Sequence, residues 1–221
     1  MIDQDVLERV LGTAVRTGAD FAEVYAEDKR STSVALDDRK VEQVTSGRDR
    51  GAGIRVVKGD TTGFAHTADL SEAGLRAAAE AAAAAASQGD GQTRTIALTR
   101  GPDRDVSPVT RYPDEVRKAD KVSLLNRIDD TARSAGGAIV QVSASYADSR
   151  KHLLVANTDG VFVTDEQVRT IVRCTAVADG DAGMQTGYQT CGHTMGFELF
   201  DRFDVDEIAR EAGRIALTKL N

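Results

Sequence analysis

Tryptophan is absent from this 221-residue sequence, and the other aromatics are few, six phenylalanines and four tyrosines. The chain is long enough to bury a real core, but that core has to be filled by Ala, Val and Leu. Cysteine is limited to Cys174 and Cys191. Two cysteines in a chain of this length are expected to be reduced thiols rather than a disulfide framework. Residues 1–5 lack a basic stretch followed by an apolar core, so no secretory signal is expected and the expected location is the cytoplasm. Long apolar runs are missing too: the alanines of 81–86 are far too weak for a membrane span, and no membrane partner is expected. Positive charge is outnumbered, 28 Lys and Arg against 35 Asp and Glu, for a net charge of −7. A field of that sign repels phosphate backbones and disfavours nucleic acid as a partner.

The common catalytic patterns are also missing. None of the three histidines, His66, His152 and His193, is followed by Glu, so no helical zincin motif exists. The glycines of Arg50-Gly51-Ala52-Gly53-Ile54 lead into a strand rather than a helix, which excludes a phosphate-binding loop. Asp159, Asp179 and Asp181 lack the twelve-residue calcium loop with its terminal Glu. Cys191-Gly192-His193 would put a thiol and an imidazole on one side of a strand. Two ligands are too few for a closed zinc site, and Cys174 or His152 would have to join them. No catalytic and no metal residue is assigned.

What is present is periodicity. Val6, Leu7, Val10, Leu11 and Ala14 recur at helical spacing before Gly18. Apolar residues at strand spacing follow, with turns expected at Asp37-Asp38 and Ser46-Gly47 and further strands at 54–57 and 63–66. A second helix is expected from Ser71-Glu72 through the alanine-rich stretch to Ala86. Residues 88–113 hold all three prolines and Gly89, Gly91 and Gly101. They read as a connector, open to proteolysis, with one short strand at 95–98. A third helix is expected after Pro113, then strands at 139–146, 153–156, 161–163, 168–177 and 189–195. A last helix opens at Asp204 and Glu207, spaced as a capping box. The expected fold is α+β, with two helix-flanked antiparallel sheet units at 1–87 and 114–221 and the connector 88–113 between them.

The two units share residues at an offset of 121, when 20–67 is set against 141–188. Tyr25/Tyr146, Ala26/Ala147, Val34/Val155, Asp38/Asp159, Gly59/Gly180 and Asp60/Asp181 coincide. Either an internal duplication or two meanders with the same turn chemistry accounts for this.

Five strings in order carry a family resemblance. They are Ala19-Asp20-Phe21-Ala22-Glu23-Val24-Tyr25, Arg50-Gly51-Ala52-Gly53-Ile54-Arg55-Val56-Val57, Gly59-Asp60-Thr61-Thr62-Gly63-Phe64-Ala65, Leu154-Val155-Ala156-Asn157-Thr158-Asp159-Gly160 and Gly192-His193-Thr194-Met195-Gly196-Phe197-Glu198. Together they resemble the N-terminal half of the TldD/PmbA proteins, labelled modulators of DNA gyrase and understood as zinc metallopeptidases, and the chain is TldD-like rather than PmbA (TldE)-like. The resemblance implies a protein about twice as long. Its C-terminal catalytic domain would carry a His-Glu-x-x-x-His helix and a distant zinc-binding Cys, elements not found here, and Cys191 does not match that cysteine. The expected role is therefore that of a non-catalytic N-terminal domain, inactive alone, with no cofactor of its own and zinc only in the full-length protein. It would form chamber walls and subunit contacts for proteolysis of peptides or unfolded proteins. A PmbA/TldE-like subunit or a second copy is the implied partner, with unfolded peptide as substrate. The rival reading is a stand-alone binding or regulatory module that pairs with a PmbA/TldE-like partner and cuts nothing. The segments 61–67 and 185–195 are poor in charge, as the centre of an interface requires. Thr62, Gly63 and Phe64, with Gly192, His193 and Gly196, are the candidate interface or substrate-wall residues.

Overall fold

The helical spacing of the N-terminal segment is realised as α1 (Gln4–Val15), which buries Leu7, Val10, Leu11, Ala14 and Val15. The computed structural model describes residues 2–86, 96–102, 108–181 and 183–220. After α1 come β1 (Phe21–Asp37), β2 (Lys40–Lys58), β3 (Thr61–Thr67), α2 (Glu72–Ala86) and β4 (Thr99–Arg100). Then follow a 3₁₀ turn (Pro113–Glu115), α3 (Lys118–Arg133), β5 (Ile139–Asn157), β6 (Val161–Ala178), β7 (Gln185–His193), α4 (Leu199–Arg202) and α5 (Val205–Thr218). The pairing order of the seven strands is β3-β2-β1-β5-β6-β4, with β7 also paired to β6. The chain is thus α+β, as its periodicity implies. β2 with β3 and β6 with β7 are antiparallel, while the short β4 runs parallel to β6.

Several expected breaks do not occur. Ser46-Gly47 lies inside β2, and the expected strand pairs 139–146 with 153–156 and 161–163 with 168–177 are single strands of 19 and 18 residues. A Ser-Gly pair is a local turn signal, and here it is overridden by strand pairing. The reversal between β1 and β2 is made by Asp38 and Arg39, with φ of 44° and 68°. Two successive positive values are the geometry of a two-residue hairpin turn. Of the expected strand 95–98, residue 95 lies outside the described residues, and the strand that forms is β4, just beyond it. The connector residues 88–95 and 103–107 also lie outside the described residues. Pro113 opens the 3₁₀ turn, and α3 starts only at Lys118.

The chain forms two compact units. One comprises Met1–Lys29, Asp49–Val106 and Lys151–Glu166; the other comprises Arg30–Arg48, Ser107–Arg150 and Gln167–Asn221. The first has an alanine-rich core in which Leu7, Leu11, Val24, Ile54 and Leu75 meet the buried alanines of α2. The second packs Leu125, Ile128, Val142, Tyr146, Val172, Phe197 and Ala212 together.

These units do not coincide with stretches of sequence, since β1, β2, β5 and β6 are each divided between them, but the two halves of the chain run in the same order of helix, three strands and helix, with α4 inserted in the second half. The correspondence has a register. Gly63 of β3 lies opposite Val56, and Gly187 of β7 lies opposite Ala176, 120 residues on from Val56. The Thr158 N–H donates to the Ala22 carbonyl, and the Asp38 N–H donates to the Val142 carbonyl, each at 2.9 Å. These two pairs are again 120 apart. Buried Ala22, Val24 and Ala26 correspond to Val142, Ala144 and Tyr146, and Ala52, Ile54 and Val56 to Val172, Cys174 and Ala176. The sequence offset of 121 is one residue out of this register. Strand neighbours face opposite sides, so that offset sets buried positions against half-exposed ones. It follows the turn pairs Gly59-Asp60 and Gly180-Asp181, but the connection between β2 and β3 is those two residues alone, whereas 179–184 join β6 to β7.

Candidate functional site

In the first unit, β3 lies against α2. Gly63 faces the helix so closely that an added Cβ would sit 1.9 Å from the Ala82 carbonyl oxygen. Its neighbours Thr62 and Phe64 are exposed, and Phe64 is 63% accessible. Phe64 stands opposite Arg55, with its ring tip at the Cβ position of Gly53 and His66 beside it at 6.4 Å between centroids. A cavity of about 540 Å³ in the same unit is lined by residues including Ile2, Asp28, Arg50, Leu70, His152 and Leu154. There the His152 imidazole lies 3.3 Å from the Glu166 carboxylate.

In the second unit, β7 lies against α5 by the same device. A Cβ on Gly187 would meet the Ala212 carbonyl oxygen at 1.9 Å. Tyr188, next along, is 50% accessible and stands opposite Thr175. Thus both third strands present a large exposed aromatic beside the glycine that meets the helix. Sequence reasoning named Phe64 but not Tyr188, because the longer connection before β7 shifts the third strands out of the common offset, so that Gly187 rather than residue 183 or 184 is the counterpart of Gly63. Among the described residues, β3 and β7 are each paired on one side only.

His193 and Cys191 share the groove between β7 and α5, of about 840 Å³, with Phe203, Glu207, Ile208 and Arg214. His193 is exposed and stacks on Phe203 at 4.5 Å. Gly192 is exposed, and a Cβ there would press on Ile171 of β6. Gly196 is buried and structural. Its N–H donates to Glu198 Oε1 at 2.9 Å, and a side chain would collide with the Arg111 carbonyl. The six candidate residues therefore divide between the units. Thr62, Phe64 and His193 are accessible, while Gly63 and Gly196 serve packing.

The zinc that the family resemblance implies finds no adequate ligand set in these residues. Among the described residues no three of His, Cys, Asp and Glu are placed to hold a metal ion. Burial raises the Cys191 thiol above its ordinary range and pushes Cys174 up to about 12, opposite to the shift a thiolate ligand needs. No described helix is long and apolar enough to cross a membrane.

Glu198 is a buried carboxylate, 6% accessible, held by backbone N–H groups. Burial acts to raise its pKa, but backbone N–H groups of Glu198 itself, Gly196, Arg111 and Thr110 outweigh it and hold the group below its ordinary value. A carboxyl depressed in the folded state contributes stability above its unfolded value, here 4.5, and loses it as pH falls through the folded value. Urea unfolding of Glu198→Gln is expected to show a lower midpoint than the parent at pH 7, with the gap narrowing as pH drops below 4.5. An unchanged gap across that range would contradict the assignment.

These features define an α+β module of helix-backed antiparallel sheet, with accessible edge strands. Two family models match the chain: PmbA/TldA metallopeptidase domain 1 over residues 22–86, and the PmbA/TldA metallopeptidase central domain over 111–220. The chain belongs to the PmbA/TldD metallopeptidase family. It is 30% identical to a metalloprotease of Methanothermobacter thermautotrophicus over 99% of this chain and 47% of that protein. A metalloprotease TldD homolog of Haemophilus influenzae is 28% identical over 91% of this chain and 43% of its own length. The fold matches a proposed modulator of DNA gyrase from Bacteroides thetaiotaomicron with a TM-score of 0.77 at 15% identity, covering 100% of this chain and 51% of that one. It matches TldE from Thermococcus kodakarensis with a TM-score of 0.72 at 16% identity, covering 95% and 46%. The chain spans about half the length of the relatives it matches.

Proposed function

We propose that this chain supplies the non-catalytic N-terminal part of a TldD-type zinc metallopeptidase subunit, walling a chamber and contacting other subunits. The observation that carries this reading is the pair of family models over 22–86 and 111–220, in a chain that spans 43–47% of the named metalloproteases. Exposed Phe64 and Tyr188, on strands that among the described residues are paired on one side only, supply the surface such a role needs, because aromatics on accessible edges favour burial by a partner. A PmbA/TldE-like subunit or a second copy is the proposed partner, and unfolded peptide the substrate of the complete assembly. The shared plan at an offset of 120 supports an internal duplication, with 1–87 and 114–221 as the copies and 88–113 as the connector.

Reconstitution tests the proposal. Joined to the remaining length of a TldD relative and mixed with a TldE-like subunit, the chain is expected to support chelator-sensitive cleavage of unfolded protein. Phe64→Ser and Tyr188→Ser are expected to weaken assembly at unchanged fold. An inert complex on several substrates, with assembly intact, would favour the stand-alone binding module.

A further inference from the structure

The second unit contains a cavity of about 470 Å³ unlike the rest of this acidic protein. Its floor is Arg30, Ser31 and Thr32 of β1 with Ser46, Gly47 and Arg48 of β2, and its wall is Asp114, Val116 and the first turn of α3 with Lys118 and Lys121. Four cations therefore face one carboxylate, in a chain whose net charge is −7. Lys121 is neutralised by Asp148 at 2.5 Å, and Arg30 lies 3.3 Å from Asp114. Lys118 is exposed and has no ion-pair partner among the described residues. Asp114 also faces Arg150 at 3.6 Å, and the Arg150 guanidinium is stacked over the Tyr112 ring at 3.7 Å. Asp114 is thus shared between Arg30 and Arg150, and Lys118 adds a cation with no ion-pair partner among the described residues.

Two further features suit the cavity to an anion. The N-cap of α3, Arg117, makes no side-chain cap to the first backbone N–H groups and pairs instead with Asp120, while Lys118 and Lys121 of the first turn line the wall. The hydroxyls of Ser31, Thr32 and Ser46 make no hydrogen bond among the described residues, so they remain available as donors. We propose that this cavity binds a small anion bearing a phosphate or carboxylate group. Arg30 and Lys118 supply charge, the serine and threonine hydroxyls supply neutral donors, and the start of α3 supplies backbone N–H groups.

Chemical-shift titration of the whole chain tests this, with inorganic phosphate and succinate as separate probes. Either probe is expected to move the N–H signals of residues 46–48 and 118–121 at millimolar concentration, and phosphate alone, succinate alone or both would identify the preferred group. Lys118→Ala, at an exposed position, is expected to weaken binding about five-fold, and Arg30→Ala by about ten-fold. Asp114→Asn removes the competing carboxylate and is expected to tighten it. Raising the salt concentration should weaken binding in the parent more than in Lys118→Ala. Shifts elsewhere, no shifts with either probe, or equal affinity in the parent and Lys118→Ala would overturn the proposal.

Discussion

Gly63→Ala and Gly187→Ala are each expected to destabilise the chain by about 3 kcal/mol, a large share of the stability of a domain this size. A Cβ at Gly63 would lie 1.9 Å from the Ala82 oxygen and 2.7 Å from the Ala86 nitrogen, and at Gly187 1.9 Å from the Ala212 oxygen and 2.6 Å from the Ala216 nitrogen. The colliding atoms are backbone, so no side-chain rotation relieves them; the helix has to move away from its strand. The alanines of α2 and α5 allow this close approach, and the glycines complete it. Gly137→Ala is the control, since nothing lies within 4 Å of a Cβ there, and it is expected to stay within about 0.5 kcal/mol of the parent. Urea unfolding of the three variants is the measurement. Equal midpoints for Gly63→Ala and Gly137→Ala would show that the packing is looser than described.

Lys121→Met is expected to be comparably damaging. Lys121 is 1% accessible, its ammonium is 2.5 Å from Asp148, and it lies 5.2 Å from the centre of the Tyr146 ring. Removing one member of a buried ion pair strands the other charge away from water, at a cost of about 3–5 kcal/mol. Replacing both, as Lys121→Met with Asp148→Leu, leaves no stranded charge. The double variant is therefore expected to regain most of the loss, giving a coupling energy of opposite sign to the single losses. Urea denaturation of the two single variants and the double variant measures it. Additive losses would mean that the two residues do not act as a pair.

The helices were legible because their signals are local. Leu7, Val10 and Leu11 share a face by spacing alone, and the alanine run could hardly be anything but α2. The strands were legible in kind but not in length. Ser46-Gly47 carries a turn signal that a continuous strand ignores, while the turn expected at Asp37-Asp38 forms one residue later, at Asp38-Arg39. The repeat was visible through shared turn residues, yet its register was not, since only strand pairing reveals that the connection before β7 is longer than the one before β3. Among candidate site residues, Gly63 was named from the low charge of 61–67 and Gly196 from its place in the string 192–198, but both have packing roles, because glycine is also the residue of close approach. The basic cavity escaped notice because Arg30, Ser46 and Lys118 are distant in sequence, and an overall charge of −7 says nothing about where cations gather.

The central claim, that these residues carry no peptidase activity of their own, is tested most directly by turnover. The purified chain, with added zinc and then with a chelator, is incubated with unfolded protein and a set of fluorogenic peptides. The account predicts no cleavage above background in either condition. Zinc-dependent hydrolysis that the chelator abolishes, and that follows the purified chain through every chromatographic step, would contradict it.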